Sequence, residues 1–167
     1  MTDTVEVDHS QLLRQFGHAS TAGWRNACER HHNMLLVGSE AATEAVLVLL
    51  EPHLREPVVW KRPRAPFEAP PGACRSLVLQ DVAALSGEEQ ARLLGWLDDP
   101  SQLRQVVSTT THPLFQLVTR GLFDEVLYYR LNVMLLHVDS SNHPGLYKQD
   151  AEALTSSRRR PEFELQQ

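Results

Sequence analysis

"LLVGSEAATEAVLVLL", residues 35–50, decides how the rest of the chain is read. Its first part belongs to "MLLVG", a short continuous apolar run that stops at a glycine. Such a run reads as a strand buried on both faces, as in a parallel sheet. The segment that follows, "EAATEAVLVLLEPHL", is rich in alanine and leucine and reads as a helix. Ser39 is placed to cap its N-terminus and Pro52 to mark its last turn or its end. A strand, a glycine turn and a helix form the setting in which a phosphate-binding loop, G-x-x-x-x-G-K-[ST], begins. Counted from Gly38, the places of its second glycine, its lysine and its hydroxyl residue hold Thr43, Glu44 and Ala45.

Outward from this unit, strand and helix patterns alternate. Residues 10–30 hold one or two short helices, with Trp24 and Cys28 on one face. "PVVWK" (57–61) is a second strand, and the proline-dense "RPRAPFEAPPGACR" (62–75) is a loop. "SLVLQDV" (76–82) is a third strand. In "SGEEQARLLGWLDD", Ser86 and Glu89 form a capping box, and Leu93, Leu94 and Leu97 form a buried stripe. "LRQVVSTT" is a fourth strand, "PLFQLVTRG" and "LFDEVLYYRL" are short helices, and "NVMLLHV" is a fifth strand. This alternation argues for a parallel sheet with helices on both faces. The expected organisation is a flexible segment over residues 1–9, one core domain over 10–139 and a polar tail over 140–167.

Composition narrows the function. The 167 residues include 42% hydrophobic and 22% charged side chains, enough for one domain with a sizeable core. The formal charge of −5 argues against nucleic acid as a partner, and the one dense basic run, Arg158 to Arg160, reads as a solvated tail. Cys28 and Cys74 lack a CxxC spacing and read as free thiols of a reducing cytoplasm. The acidic start does not read as a signal peptide, and "AVLVLL" is far short of a membrane span. The eight histidines, among them His31, His32, His112, His137 and His143, show no metal-ligand spacing, so no metal is expected.

Two stretches carry a resemblance. "SLVLQDVAALSGEEQARLLGWLDD" (76–99) matches, without a gap, T-L-F-L-D-E-I-G-E-L-P-x-x-x-Q-x-x-L-L-R-x-L-x-x. "GLFDEVLYYRLNVMLLHV" (121–138) matches G-x-F-R-E-D-L-Y-Y-R-L-N-V-x-x-x-x-L, and its "LYYRLNV" agrees at seven consecutive residues. These motifs resemble the AAA+ domain of bacterial enhancer-binding proteins, the ATP-driven activators of sigma-54 RNA polymerase. The resemblance covers roughly residues 19–139 and ends where that family's helical lid would begin. It implies a three-layer αβα core of the P-loop type with a five-stranded parallel sheet, here without the lid. It also implies ATP at the turn after the first strand, ring assembly and remodelling of polymerase.

Position by position, the resemblance also shows departures. Gly38 and Ser39 stand at the start of the phosphate loop, Thr43 replaces its second glycine, Glu44 reverses the charge of its lysine, and Ala45 follows. In the Walker B pair, Gln80 replaces the metal-holding acid and Asp81 the acid that polarises water. Thr111 stands at the sensor asparagine. Of the two arginines that act across a ring interface, Asp124 replaces the first and Arg130 remains. The proline-rich loop replaces the segment bearing the polymerase-touching GAFTGA motif. Leu77, Val78, Leu79, Leu93, Leu94, Leu97, Leu127, Tyr128, Tyr129, Leu131 and Val133 are expected to hold the core together.

The residues therefore favour a vestigial site over a catalytic one, with no bound ATP or magnesium. The expected function is a cytoplasmic AAA+-like, sigma-54 interaction module that has lost ATP hydrolysis and works by protein contact in bacterial transcription regulation or signalling, as a monomer or weak homo-oligomer. The alternative is an ATP-binding switch or weak ATPase seated on the helix N-terminus after Gly38.

Overall fold

The computed structural model describes residues 21–62 and 66–138, with the side chains of residues 21–24 left aside. The expectations for residues 1–9, for the first half of segment 10–30 and for the tail lie outside the described residues.

Five strands form one sheet: β1 (Met34–Gly38), β2 (Val58–Lys61), β3 (Ser76–Leu79), β4 (Gln105–Thr110) and β5 (Met134–Val138). Their order is β2-β3-β4-β1-β5, and every neighbouring pair is parallel. The apolar runs are buried as their composition requires: Met34, Leu35, Leu36, Leu77, Val78 and Leu79 are at most 1% exposed. β4 is buried along its whole length despite its polar residues. Those polar groups are paired. Ser108 Oγ donates to Met34 O at 3.2 Å, Gln105 Nε2 donates to His32 O at 3.1 Å, and Val106 N–H donates to Asn33 Oδ1 at 2.7 Å.

Helices cover both faces. On one side, α1 (Thr21–Arg30) and α2 (Glu40–Leu50) pack Ala27, Cys28, Val46, Leu47 and Leu50 onto Met34, Leu36, Val78, Val107 and Leu136. On the other, α3 (Gly87–Leu97), α4 (Leu114–Thr119) and α5 (Glu125–Leu131) bring Leu93, Trp96, Leu114, Leu127 and Leu131 onto Leu35, Leu77, Leu79 and Val106. The expected three-layer αβα core is the one observed. α2 ends where Pro52 forces a 3-10 turn, Glu51–His53.

Several boundaries and faces differ from the sequence reading. β3 stops at Leu79, because Asp81 adopts a left-handed conformation (φ 55°) and feeds a 3-10 turn, Val82–Ala84. β4 starts at Gln105, leaving Leu103 81% exposed. On α3, Gln90 and Trp96 are buried with Leu93, whereas Leu94 and Leu97 are half-buried. Gln90 is buried because both ends of its amide are engaged: Nε2 donates to the carbonyls of Leu85 and Leu122, and Oε1 accepts from Asp124 N–H. Tyr129 and Val133, expected in the core, are exposed on the outer surface of the α5 region.

Candidate functional site

The carboxyl ends of β1, β3 and β4 converge on one cleft of about 190 Å³. It lies where the sheet's connections diverge, since α2 leaves β1 across one face and α4–α5 leave β4 across the other. Crevices at such points are the usual ligand seats of open parallel sheets. Gly38, Glu40 and Thr43 line it from α2's side, Gln80 and Asp81 from β3's, Thr109, Thr110 and Thr111 from β4's, and Arg62 from the end of β2.

The turn after β1 is short and closed. Gly38 is still paired in the sheet, opposite Val138, and α2 begins two residues later at Glu40. Ser39 caps it: Ala42 N–H donates to Ser39 Oγ at 3.3 Å, and Thr43 N–H to Ser39 O at 3.0 Å. Thr43 Oγ1 is turned back onto Ser39 O (3.1 Å) and Glu40 O (3.0 Å). One of the free N-terminal amides that could face an anion, that of Ala42, is thus spent on the cap. The glycine itself serves packing, since a Cβ at Gly38 would lie 1.9 Å from the Val138 carbonyl oxygen.

Arg62 organises the cleft's charge. Its Nη1 lies 3.0 Å from Glu40 Oε1 and its Nη2 3.7 Å from Glu44 Oε1. Its Nε donates to Gln80 Oε1. One guanidinium from β2 therefore spans the first turns of α2 and the end of β3. Glu44 does not line the cleft. It is 58% exposed on its side chain, and the partly buried setting expected for it is absent. Repulsion of a phosphate by Glu44 therefore sits nearer the roughly 1 kcal/mol of a pair in water than the several kcal/mol of a desolvated one.

The other expected residues divide into two groups. Asp81 is exposed, and its N–H donates to Thr109 Oγ1 at 3.1 Å. Thr111 is exposed, with Oγ1 2.9 Å from His112 Nδ1. Ser39, Glu44 and Ala45 lie beside the cleft without lining it. Arg130 is remote from it, paired with Asp98 at 2.7 Å. Asp124 is a helix cap, its Oδ1 accepting from Leu127 N–H at 2.7 Å. The sequence reading missed Glu40, Arg62, Thr109 and Thr110. Glu40 was open to detection, standing four residues before Glu44 on one helix face. Nothing local signals Arg62, whose partners are 18 to 22 residues away. Among the described residues, no group of three or more His, Cys, Asp or Glu side chains is gathered as a metal site.

The family model described as the sigma-54 interaction domain matches residues 72–140, which span β3 to β5 and one wall of the cleft. Over those residues the chain is similar to the sigma-54 interaction domain. Its similarity extends to the HTH-type transcriptional regulatory protein TyrR of Salmonella typhimurium strain LT2, 36% identical over 74 residues, 38% of this chain and 14% of that relative. The chain thus matches only a small part of that regulator's length. Among solved structures, NtrX from Brucella abortus in complex with ADP superposes with a TM-score of 0.55 at 20% identity, covering 74% of this chain and 37% of that one. The P-loop NTPase domain of an Escherichia coli protein titled a sigma-54 transport activator gives 0.53 at 16% identity, covering 72% and 96%. These likenesses agree with the five-stranded parallel αβα core of the chain. No helix among its described residues is long and apolar enough to cross a membrane.

Proposed function

We propose that this chain is a sigma-54 interaction domain that does not hydrolyse ATP and acts by contact with another protein in transcription regulation. The observation that carries the reading is the Arg62 guanidinium, held between Glu40, Glu44 and Gln80 in the cleft. The residues fit a magnesium triphosphate poorly. The Arg62 cation is already paired with two carboxylates, Glu40 and Glu44, and Asp81 adds a further carboxylate to the cleft lining. A hard divalent ion prefers anionic oxygen, and Gln80 offers a neutral amide that is occupied by Arg62. The capped turn after Gly38 also leaves no extended loop of amides to wrap phosphate. Asp81 and Arg130 are then remnants without a partner chemistry. No cofactor is part of this reading, and the core unit is taken as residues 10–139.

Phosphate release from ATP and magnesium is the direct check on the purified full chain. The expected result is a rate equal to that of buffer. Turnover that follows protein concentration and is abolished by Asp81→Ala overturns the proposal. Capture from native lysate then identifies the protein partner, with components of the sigma-54 transcription apparatus the first candidates on family grounds.

A second reading, a nucleotide-binding switch, is favoured by the cleft's position beside the N-terminus of α2. It requires Arg62 to leave its carboxylates and turn to phosphate. Saturable ATP binding that is lost in Arg62→Ala and retained in Asp81→Ala would select it.

A further inference from the structure

Helix α1 ends in a hydrogen-bonded hook. His31 N–H donates to Cys28 O at 3.4 Å and His32 N–H to Ala27 O at 3.2 Å, the paired bonds of a Schellman turn. The residue at its bend takes a left-handed conformation, and His31 does so with φ 52°. Glycine is the usual occupant, and histidine is one of the few other residues that adopt it at modest cost. The turn alone thus does not call for an imidazole.

The ring lies against the segment that follows α2. Its Nδ1 is buried and has no hydrogen-bond partner among the described residues. The backbone of His53, in the 3-10 turn Glu51–His53, accepts from the ring. The charges acting on the ring are those of Arg55 and His53, and no carboxylate is among them. A neutral imidazole suits this seat: one nitrogen donates to the carbonyl, and Nδ1 keeps a lone pair that needs no acceptor. An imidazolium does not suit it. Its second N–H would point into a dry site with no acceptor, beside a guanidinium and a second histidine. Burial and the Arg55 charge, in that order, hold the ring below the ordinary histidine value, and the His53 carbonyl opposes them only in part.

We propose that His31 is an acid-released latch on α1. Neutral, it fastens the end of α1 to the turn after α2. Protonated, it leaves its seat, and the Schellman turn opens with it. Because α1 contributes Ala27 and Cys28 to the core on its side of the sheet, opening loosens the packing of that helix. The next residue marks where the release stops: His32 O is held by Gln105 Nε2 at 3.1 Å, which ties the entry of β1 to β4 in either state. The latch stands at the amino end of β1, and the cleft lies at the carboxyl ends of the strands, so the inference does not depend on the reading of that cleft. A folded-state value below the ordinary one contributes stability that is complete above the ordinary histidine range. That stability is lost as pH falls from there through the folded-state value.

Proton NMR of the full chain tests the latch without any variant. The His31 ring should titrate at lower pH than it does in the urea-unfolded chain. Over that titration, the His31 and His32 amides should lose at least about tenfold in exchange protection, while that of Val107 in the sheet holds. His31→Asn removes the titrating ring and keeps a residue that accepts the left-handed turn. Between about pH 7.5 and about pH 5, its Tm should fall by about 2–4 °C less than that of wild type, a modest shift for a domain of this size. Circular dichroism at neutral pH confirms folding of the variant. A His31 ring that titrates at or above its value in urea overturns the proposal. So do amides that stay protected through the titration, or Tm curves for wild type and His31→Asn that run parallel.

Discussion

At Gly38 a Cβ would lie 1.9 Å from the Val138 carbonyl oxygen, so the residue is fixed by β1–β5 packing whether or not a phosphate ever approaches. Gly38→Ala should therefore destabilise the domain by roughly 1–3 kcal/mol, as other overpacked positions do, seen as a lowered Tm in thermal unfolding. An unchanged Tm would mean that the strand end can move. The thiols make a second residue-scale test. Burial, reinforced by the neighbouring Glu29, pushes Cys28 up to about 11, and burial also raises Cys74. At pH 8 both are thiols rather than thiolates, so iodoacetamide should label them much more slowly in the folded chain than in urea. Equal rates would contradict their burial. Arg62 shows where sequence reading fails at this scale. Glu44 in a lysine's place was visible in the sequence, but its ion pair with a cation from β2 depends on tertiary structure alone.

At the scale of elements, the helix starting at Gly87 was legible down to its cap. Ser86 Oγ accepts from Glu89 N–H, and Glu89 answers by accepting from Ser86 N–H at 2.7 Å. Less visible is that the same carboxylate also accepts from Phe67 N–H at 2.5 Å, which ties the proline-rich loop to α3. The backbone amides of Phe67 and Ser86, in that order, hold the Glu89 carboxyl below its ordinary value. A depressed folded-state value contributes stability above the unfolded carboxyl range, and that contribution is lost as pH falls through the folded-state value. Glu89→Gln should thus lower Tm at neutral pH and converge with wild type at acid pH. Parallel curves from pH 7 to pH 3 would sink this account. The strands were legible because continuous apolar runs fit a doubly covered parallel sheet. The end of β3 was not, because the left-handed turn at Asp81 is set by its N–H bond to Thr109, on another strand. The outward face of α5 was hidden for a similar reason: the "LYYRLNV" match gives sequence kinship but not which side of the helix meets the sheet.

Over the whole molecule, a fold whose usual ligand seat lies at the ends of β1, β3 and β4 keeps a cleft there and lines it with side chains paired to one another. Arg62 joins α2 to the end of β3, a span that a bound ligand in the cleft would otherwise bridge. Because the pairs are 40% to 71% exposed, their contribution to stability is small and salt-dependent. Their effect is on what the cleft accepts. Residues 72–140 are similar to the sigma-54 interaction domain, and in the proposed function the paired cleft keeps that core without nucleotide chemistry. The most direct test is isothermal titration of the full chain with ATP and magnesium at low salt. The account predicts no saturable heat up to millimolar nucleotide. A one-site isotherm in the micromolar range, lost on Arg62→Ala, would contradict it and turn Arg62 from an internal partner of acids into a phosphate ligand.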